Sequence, residues 1–142
     1  MVNVSLVNLS KFADATYGSL TAIEGGQDIP FPIERVYYIY DVPNGVRRGF
    51  HSHVDLNQIL ICVKGKVKIL TKTPTEELIT ELSAPNEGLY IGPMVWREMY
   101  DFTEDAVLLV LANKHYDVKD YIRDYSIYEK MAREFFENGE KK

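Results

Sequence analysis

The sequence predicts an all-β domain, a sandwich or barrel of short antiparallel strands, followed by one C-terminal α-helix. Three observations predict it. Short runs rich in Val, Ile and Tyr recur from Leu20 to Ala112, and these residue types suit a pleated, half-buried surface. Each run is bounded by Gly, Pro or Asn turn signals. Long helical patterns do not alternate with the runs, which argues against a parallel βαβ sheet.

Taken in order, the expected strands are Leu20–Glu24, Arg35–Tyr40, Gln58–Val63, Lys66–Thr71, Glu77–Leu82, Gly88–Ile91 and Val107–Ala112. Gly25-Gly26, Asp28-Ile-Pro30, Pro43-Asn-Gly45, Thr73-Pro74, Ala84-Pro-Asn86 and Gly92-Pro93 separate them. Past Ala112 the period changes. Tyr121, Ile122, Tyr125, Tyr128, Met131, Ala132, Phe135 and Phe136 recur at spacings of three and four, one apolar stripe of an amphipathic helix over 119–138. Asp117 is the expected N-cap and Gly139 the expected stop, leaving Gly139–Lys142 as a frayed tail. The aromatic stripe reads as a docking face, against the barrel or a second subunit.

The chain has 142 residues, 46% hydrophobic and 26% charged, which is one globular domain, 1–142, by size and composition. The formal charge is −5, so the basic face of a nucleic-acid binder is absent. No run approaches a membrane span of ~18 apolar residues. The Met1–Leu6 start has neither a basic region nor a sustained apolar one, so no signal peptide is expected and the cytoplasm is the expected compartment. Cys62, the only cysteine, sits in the apolar run Ile59–Val63 and reads as a buried small hydrophobe.

The informative stretch is Gly45 to Gly65: His51-Ser-His53, then Gln58, then Gly65. In a strand, residues two apart point the same way, so both imidazoles project into one cavity. The spacing resembles the first motif of the cupin superfamily, which implies a cupin-type antiparallel β-barrel, or jelly roll. Gly88–Arg97 resembles the second motif. In the superfamily two further metal ligands follow the His pair; here Gln58 and Arg97 stand in their places. Gln is a weak neutral ligand and Arg a fixed cation, so no metal is expected. An imidazole titrates near pH ~6.5 and suits proton transfer on a bound small molecule.

Five of the six arginines, Arg35, Arg47, Arg48, Arg97 and Arg123, lie in or beside these segments. If Arg35, Arg48 and Arg97 meet at one mouth, they can clamp a diphosphate; Arg133 and His115 read as surface. Tyr38 and Tyr40 should share one face of their strand with Tyr37 opposite. Of Trp96, Tyr100 and Phe102, most should be core, with Tyr100 a candidate for stacking on a base or sugar.

Arg35–Tyr40, Arg48-Gly-Phe-His-Ser-His53, Gly88–Pro93, Trp96-x-Glu98-Met and Asp120–Tyr125 together resemble the WxcM-like sugar ketoisomerases, the dTDP-4-oxo-6-deoxy-D-glucose 3,4-oxoisomerases. The likeness runs from about Gly18 to Tyr125. It implies a homodimer with exchanged N-terminal strands, a dTDP-linked 4-keto-6-deoxyhexose as substrate, no metal or redox cofactor, and a role in making amino sugars for surface glycans. It further implies His51 as leading base, His53 as its partner, Tyr37 as acid or oxygen donor, Arg48 on the diphosphate, and Gln58 orienting a histidine or the sugar. Where many relatives read Arg-Gly-Ser and Trp-His-Glu, this chain has Tyr17-Gly-Ser19 and Trp96-Arg97-Glu98. Tyr17 and Arg97 resemble the subgroup whose product is dTDP-3-oxo-6-deoxy-D-glucose. The competing readings are a galacto-product ketoisomerase, a sugar epimerase of the same barrel, a non-catalytic nucleotide-sugar-binding cupin and a metal-dependent dioxygenase.

Overall fold

The computed structural model describes residues 1–140. Its strands are β1 (Val4–Asn8), β2 (Phe12–Asp14), β3 (Gly18–Leu20), β4 (Arg35–Tyr40), β5 (Arg48–His53) and β6 (Gln58–Lys64). They continue with β7 (Val67–Lys72), β8 (Glu77–Leu82), β9 (Glu87–Ile91), β10 (Trp96–Tyr100), β11 (Val107–Ala112) and β12 (Tyr121–Ile122), and α1 (Tyr125–Glu140) ends the chain. One five-stranded sheet has the order β1-β9-β6-β11-β4 and the other β12-β5-β10-β7-β8. Every strand pair is antiparallel. The two sheets face each other as the walls of a jelly-roll barrel.

Alternation explains the layers. Leu60, Cys62, Leu89, Ile91, Leu108 and Val110 point inward from the first sheet and meet Val67, Ile69, Leu82 and Met99 from the second, with Val95 from the turn before β10. Each such aliphatic side chain stabilises the fold by roughly 1.5–3 kcal/mol. The opposite face of β6 and β11 is also apolar, and Leu9, Ile29 and Phe31 cover it. The expected strand Leu20–Glu24 therefore exists only at Leu20, the last residue of β3. Past it the chain lays Ile23, Ile29 and Phe31 onto a sheet face, where no edge is available for pairing.

The helix begins later than its stripe suggests. Asp117 does cap, but it caps a 3-10 turn at Val118–Asp120, through Lys119 N–H. Tyr121 and Ile122 then pair with His53 and Ser52 of β5. Asp124 is the cap of α1, its Oδ1 accepting from Ile127 N–H at 3.0 Å. Ile122 and Tyr125 fit a helical stripe, but Ile122 reaches the same apolar cluster from a strand. Gly139 does not stop α1, which runs to Glu140; Lys141 and Lys142, the end of the tail expected to fray, lie outside the described residues. Tyr128 and Ala132 seat the helix on Met94 and Trp96, with the Tyr128 hydroxyl 2.9 Å from the Met94 carbonyl. No helix among the described residues is long and apolar enough to cross a membrane.

Candidate active site

Within β5 the side chains of His51 and His53 enter the barrel while Ser52 turns toward the helix layer. One irregularity aims them. Arg97 of β10 pairs with His51 but Glu98 pairs with Gly49, so Phe50 is an extra residue. That is a β-bulge, which bends and re-aims its strand. Gly49 (φ 97) and Phe50 (φ 53) both occupy the left-handed region. A Cβ on Gly49 would lie 3.0 Å from the Arg97 carbonyl, so glycine is required by both backbone and space.

The two rings meet edge to face, centroids 4.9 Å apart, and Tyr121 lies 5.0 Å from His51 and 4.4 Å from His53. Each imidazole is held by its Nδ1. His51 Nδ1 is 3.0 Å from the Gly49 carbonyl, and that acceptor requires an N–H there. His53 Nδ1 is 2.8 Å from Asp120 Oδ2. In this arrangement both Nε2 atoms carry lone pairs. His53 Nε2 is buried and has no partner.

Arg97, 1% exposed, fills the position facing them. Its Nη1 donates to Gln58 Oε1, its Nη2 donates to the Val95 carbonyl at 3.1 Å, and its Nε has no partner. Gln58 in turn donates from Nε2 to the Tyr37 hydroxyl at 3.2 Å. This cation sets the electrostatics. Burial, and then Arg97, depresses His51 to about 4 and His53 to about 2. Both are neutral near pH 7. Burial pushes the Tyr37 phenol up and Arg97 down to about 10, so the phenol keeps its proton and the guanidinium its charge. A pocket of about 280 Å³ opens beside His53, lined among others by Arg35, Lys114, Lys119, Asp120 and Tyr121.

A cupin barrel implies a metal, and these donors do not fit one. Among the described residues no three His, Cys, Asp or Glu side chains converge. The other two positions hold an amide and a buried cation, which repels a second one.

The chain matches the family model described as FdtA: WxcM-like, C-terminal, over residues 2–133. It belongs to the WxcM-like family. The fold is that of QdtA, a sugar 3,4-ketoisomerase from Thermoanaerobacterium thermosaccharolyticum solved in complex with TDP: TM-score 0.94 and 56% identity, covering 96% of this chain and 98% of that one. The H51N mutant of QdtA, solved with TDP-4-keto-6-deoxyglucose, is 55% identical with TM-score 0.92, covering 94% and 96% of the two chains. A TDP-4-oxo-6-deoxy-alpha-D-glucose-3,4-oxoisomerase of Aneurinibacillus thermoaerophilus is 44% identical over 125 residues, 88% of this chain and 89% of that protein.

In this WxcM-like barrel the candidates from sequence separate into three groups. His51, His53, Tyr37, Gln58 and Arg97 converge. Gln58 touches Arg97 and Tyr37 rather than a histidine. Arg97 is too deep to share a mouth with the other arginines. Arg35 lies at the rim, its guanidinium 5.4 Å from the Tyr37 ring centroid, and Arg48 is exposed at the start of β5. Two candidates stand apart. Tyr100 lies on the face of β10 opposite Arg97, under Arg47 at 4.1 Å, because residues three apart in a strand point to opposite sides. Tyr17 is 91% exposed between β2 and β3, on a hairpin rather than in the barrel. Sequence reasoning missed Tyr121 and Asp120, which it placed in the helix. The only signal was their membership in the segment Asp120–Tyr125.

Proposed function

We propose that this chain moves the ketone of dTDP-4-keto-6-deoxyglucose from C4 to C3, giving dTDP-3-keto-6-deoxyglucose. The observation that carries it is a pair of neutral imidazoles, His53 buried and His51 half-buried, their Nε2 lone pairs directed into a barrel that holds a phenol and a fixed cation. That arrangement suits moving protons without net redox change.

His51 Nε2 removes the proton on C3, acidified by the neighbouring ketone. The electron pair shifts to form a C3–C4 enediolate. Tyr37 donates its hydroxyl proton to the C4 oxygen, and the Arg97 charge stabilises the developing anion. His53 takes the C3 hydroxyl proton as that oxygen becomes the ketone. His51 returns its proton to C4, and the proton on His53 passes back to Tyr37, so acid and bases end as they began. Arg48 and Arg35 hold the diphosphate. The QdtA complex with TDP-4-keto-6-deoxyglucose, formed with H51N, supports His51 as the base, since this chain carries histidine at the same number.

Tyr17 and Arg97 favour the gluco product, with proton delivery to one face of C4. We further read the assembly as a homodimer with exchanged N-terminal strands. Phe12 (64% exposed) and Leu20 (60%) on the hairpin then find cover on a second copy, and Tyr17 is carried toward a barrel.

The test is NMR of dTDP-4-keto-6-deoxyglucose with the protein in deuterated water. Carbonyl migration to C3 is expected, with any exchange-derived deuterium at C4. A product retaining its ketone at C4 with C3 inverted would make the chain an epimerase instead.

A further inference from the structure

We infer that Asp120 is a positioning residue for the isomerisation, holding His53 in the Nδ1–H tautomer and balancing the charge that His53 acquires during proton transfer. This rests on the ketoisomerase reading above.

Asp120 receives two donors at once: Asp55 N–H on Oδ1 at 2.8 Å and His53 Nδ1 on Oδ2 at 2.8 Å. A carboxylate is acceptor-only on both oxygens. The neutral isostere, asparagine, has one carbonyl oxygen for these two donors, so its amide must confront one of them. Facing His53, that amide forces the lone pair onto Nδ1 and the proton onto Nε2, the wrong tautomer for a base. The neighbourhood makes the carboxylate more consequential. His53 is 0% exposed, and around it stand Arg97 from β10, His51 from β5, Arg35 from β4 and Arg123 beyond β12. All four disfavour a charged imidazole. Among the described residues Asp120 is the one opposite charge bonded to the ring. When His53 Nε2 takes the C3 hydroxyl proton, positive charge appears in this cationic setting, and Asp120 opposes the cost within hydrogen-bond distance. No atom is lost or gained: the proton leaves again for Tyr37, and Asp120 neither takes nor gives one.

Asp120 also ties its turn to the loop after β5, since its carbonyl accepts from Val54 N–H at 3.0 Å. A merely structural role is therefore the reading to beat. Asp117 supplies the comparison, because it caps the same turn and has no bond to His53.

The experiment uses the full chain. Imidazole 15N NMR of the wild-type protein should show His53 protonated at Nδ1; protonation at Nε2 would overturn the inference with no variant needed. Asp120→Asn should lose kcat by roughly 10²–10⁴-fold, with little change in TDP affinity and a shifted His53 tautomer. Asp117→Ala, which loosens the same turn, should keep the tautomer. Equal losses of kcat in the two variants, with the tautomer unmoved, would reduce Asp120 to a loop tie. If Asp120→Asn does not fold, Asp120→Glu, which retains both acceptors, should restore a folded protein with the Nδ1–H tautomer; failure there also counts against the inference. Absence of ketone migration in the wild type would sink the parent reading alone, because the tautomer is measured without substrate.

Discussion

At the residue scale the site is governed by burial next to a fixed cation. The groups facing His51 are Arg97, Arg48, Arg123, His53 and Tyr121, with the Gly49 carbonyl beneath it. Its depressed pKa sets the acid limb of the rate. Activity that requires neutral His51 should persist below the usual histidine range and fall as pH drops through about 4, measured as kcat/KM against pH. The same shift has a stability sign. Both histidines bind a proton more readily unfolded than folded, so the unfolded state holds more protons below pH ~6.5. Stability is therefore complete above ~6.5 and declines as pH falls, toward about 4 for His51 and on toward about 2 for His53, by at most about 1.4 kcal/mol per pH unit for each histidine; urea titrations at stepped pH read it. His51→Asn should cost roughly 10²–10⁴-fold in turnover while TDP-sugar still binds by calorimetry. Tyr17→Arg with Arg97→His should turn the product toward the galacto form in an NMR assay. An unchanged ratio would remove those two positions from stereochemical control. The His pair was legible because strand parity alone puts both rings on one side. Asp120 was not, because its partner lies 67 positions away in sequence and only the return of β12 along β5 joins them.

At the element scale, legibility followed pairing. Arg35–Tyr40, Glu77–Leu82 and Val107–Ala112 read from sequence with the bounds they have in the structure, since their flanking turns are explicit. The strands β1 to β3 are short, and Ser, Asn, Asp and Gly interrupt their apolar residues; partners rather than propensity make them strands. The helix start was misplaced for the opposite reason, an apolar pattern that both a strand and a helix can satisfy. Docking of α1 is testable at one atom. Tyr128→Phe removes the hydroxyl that reaches the Lys72 and Met94 carbonyls and should cost about 1–2 kcal/mol by chemical denaturation. Trp96 and Tyr125 stay stacked edge to face, so the helix should remain folded in that variant.

At the scale of the whole molecule, the barrel has a buried core and the N-terminal hairpin has none. Phe12 and Leu20 pair across β2 and β3 with no buried residue in either strand. A two-stranded ribbon of that kind is marginal in water on its own. The proposed strand exchange predicts a concentration-stable dimer by analytical ultracentrifugation. Phe12→Asp together with Leu20→Asp should yield monomers and lower activity as Tyr17 loses its seat. A monomeric wild type would refute the exchange and leave the barrel chemistry untouched.

The guanidinium in the heart of the barrel has one more consequence. Its positive charge is covalently part of the polypeptide, so it cannot be captured, swapped for a rival ion or stripped by a chelator. The newly folded chain needs no maturation step to acquire it, and prolonged dialysis against EDTA should leave turnover where it was.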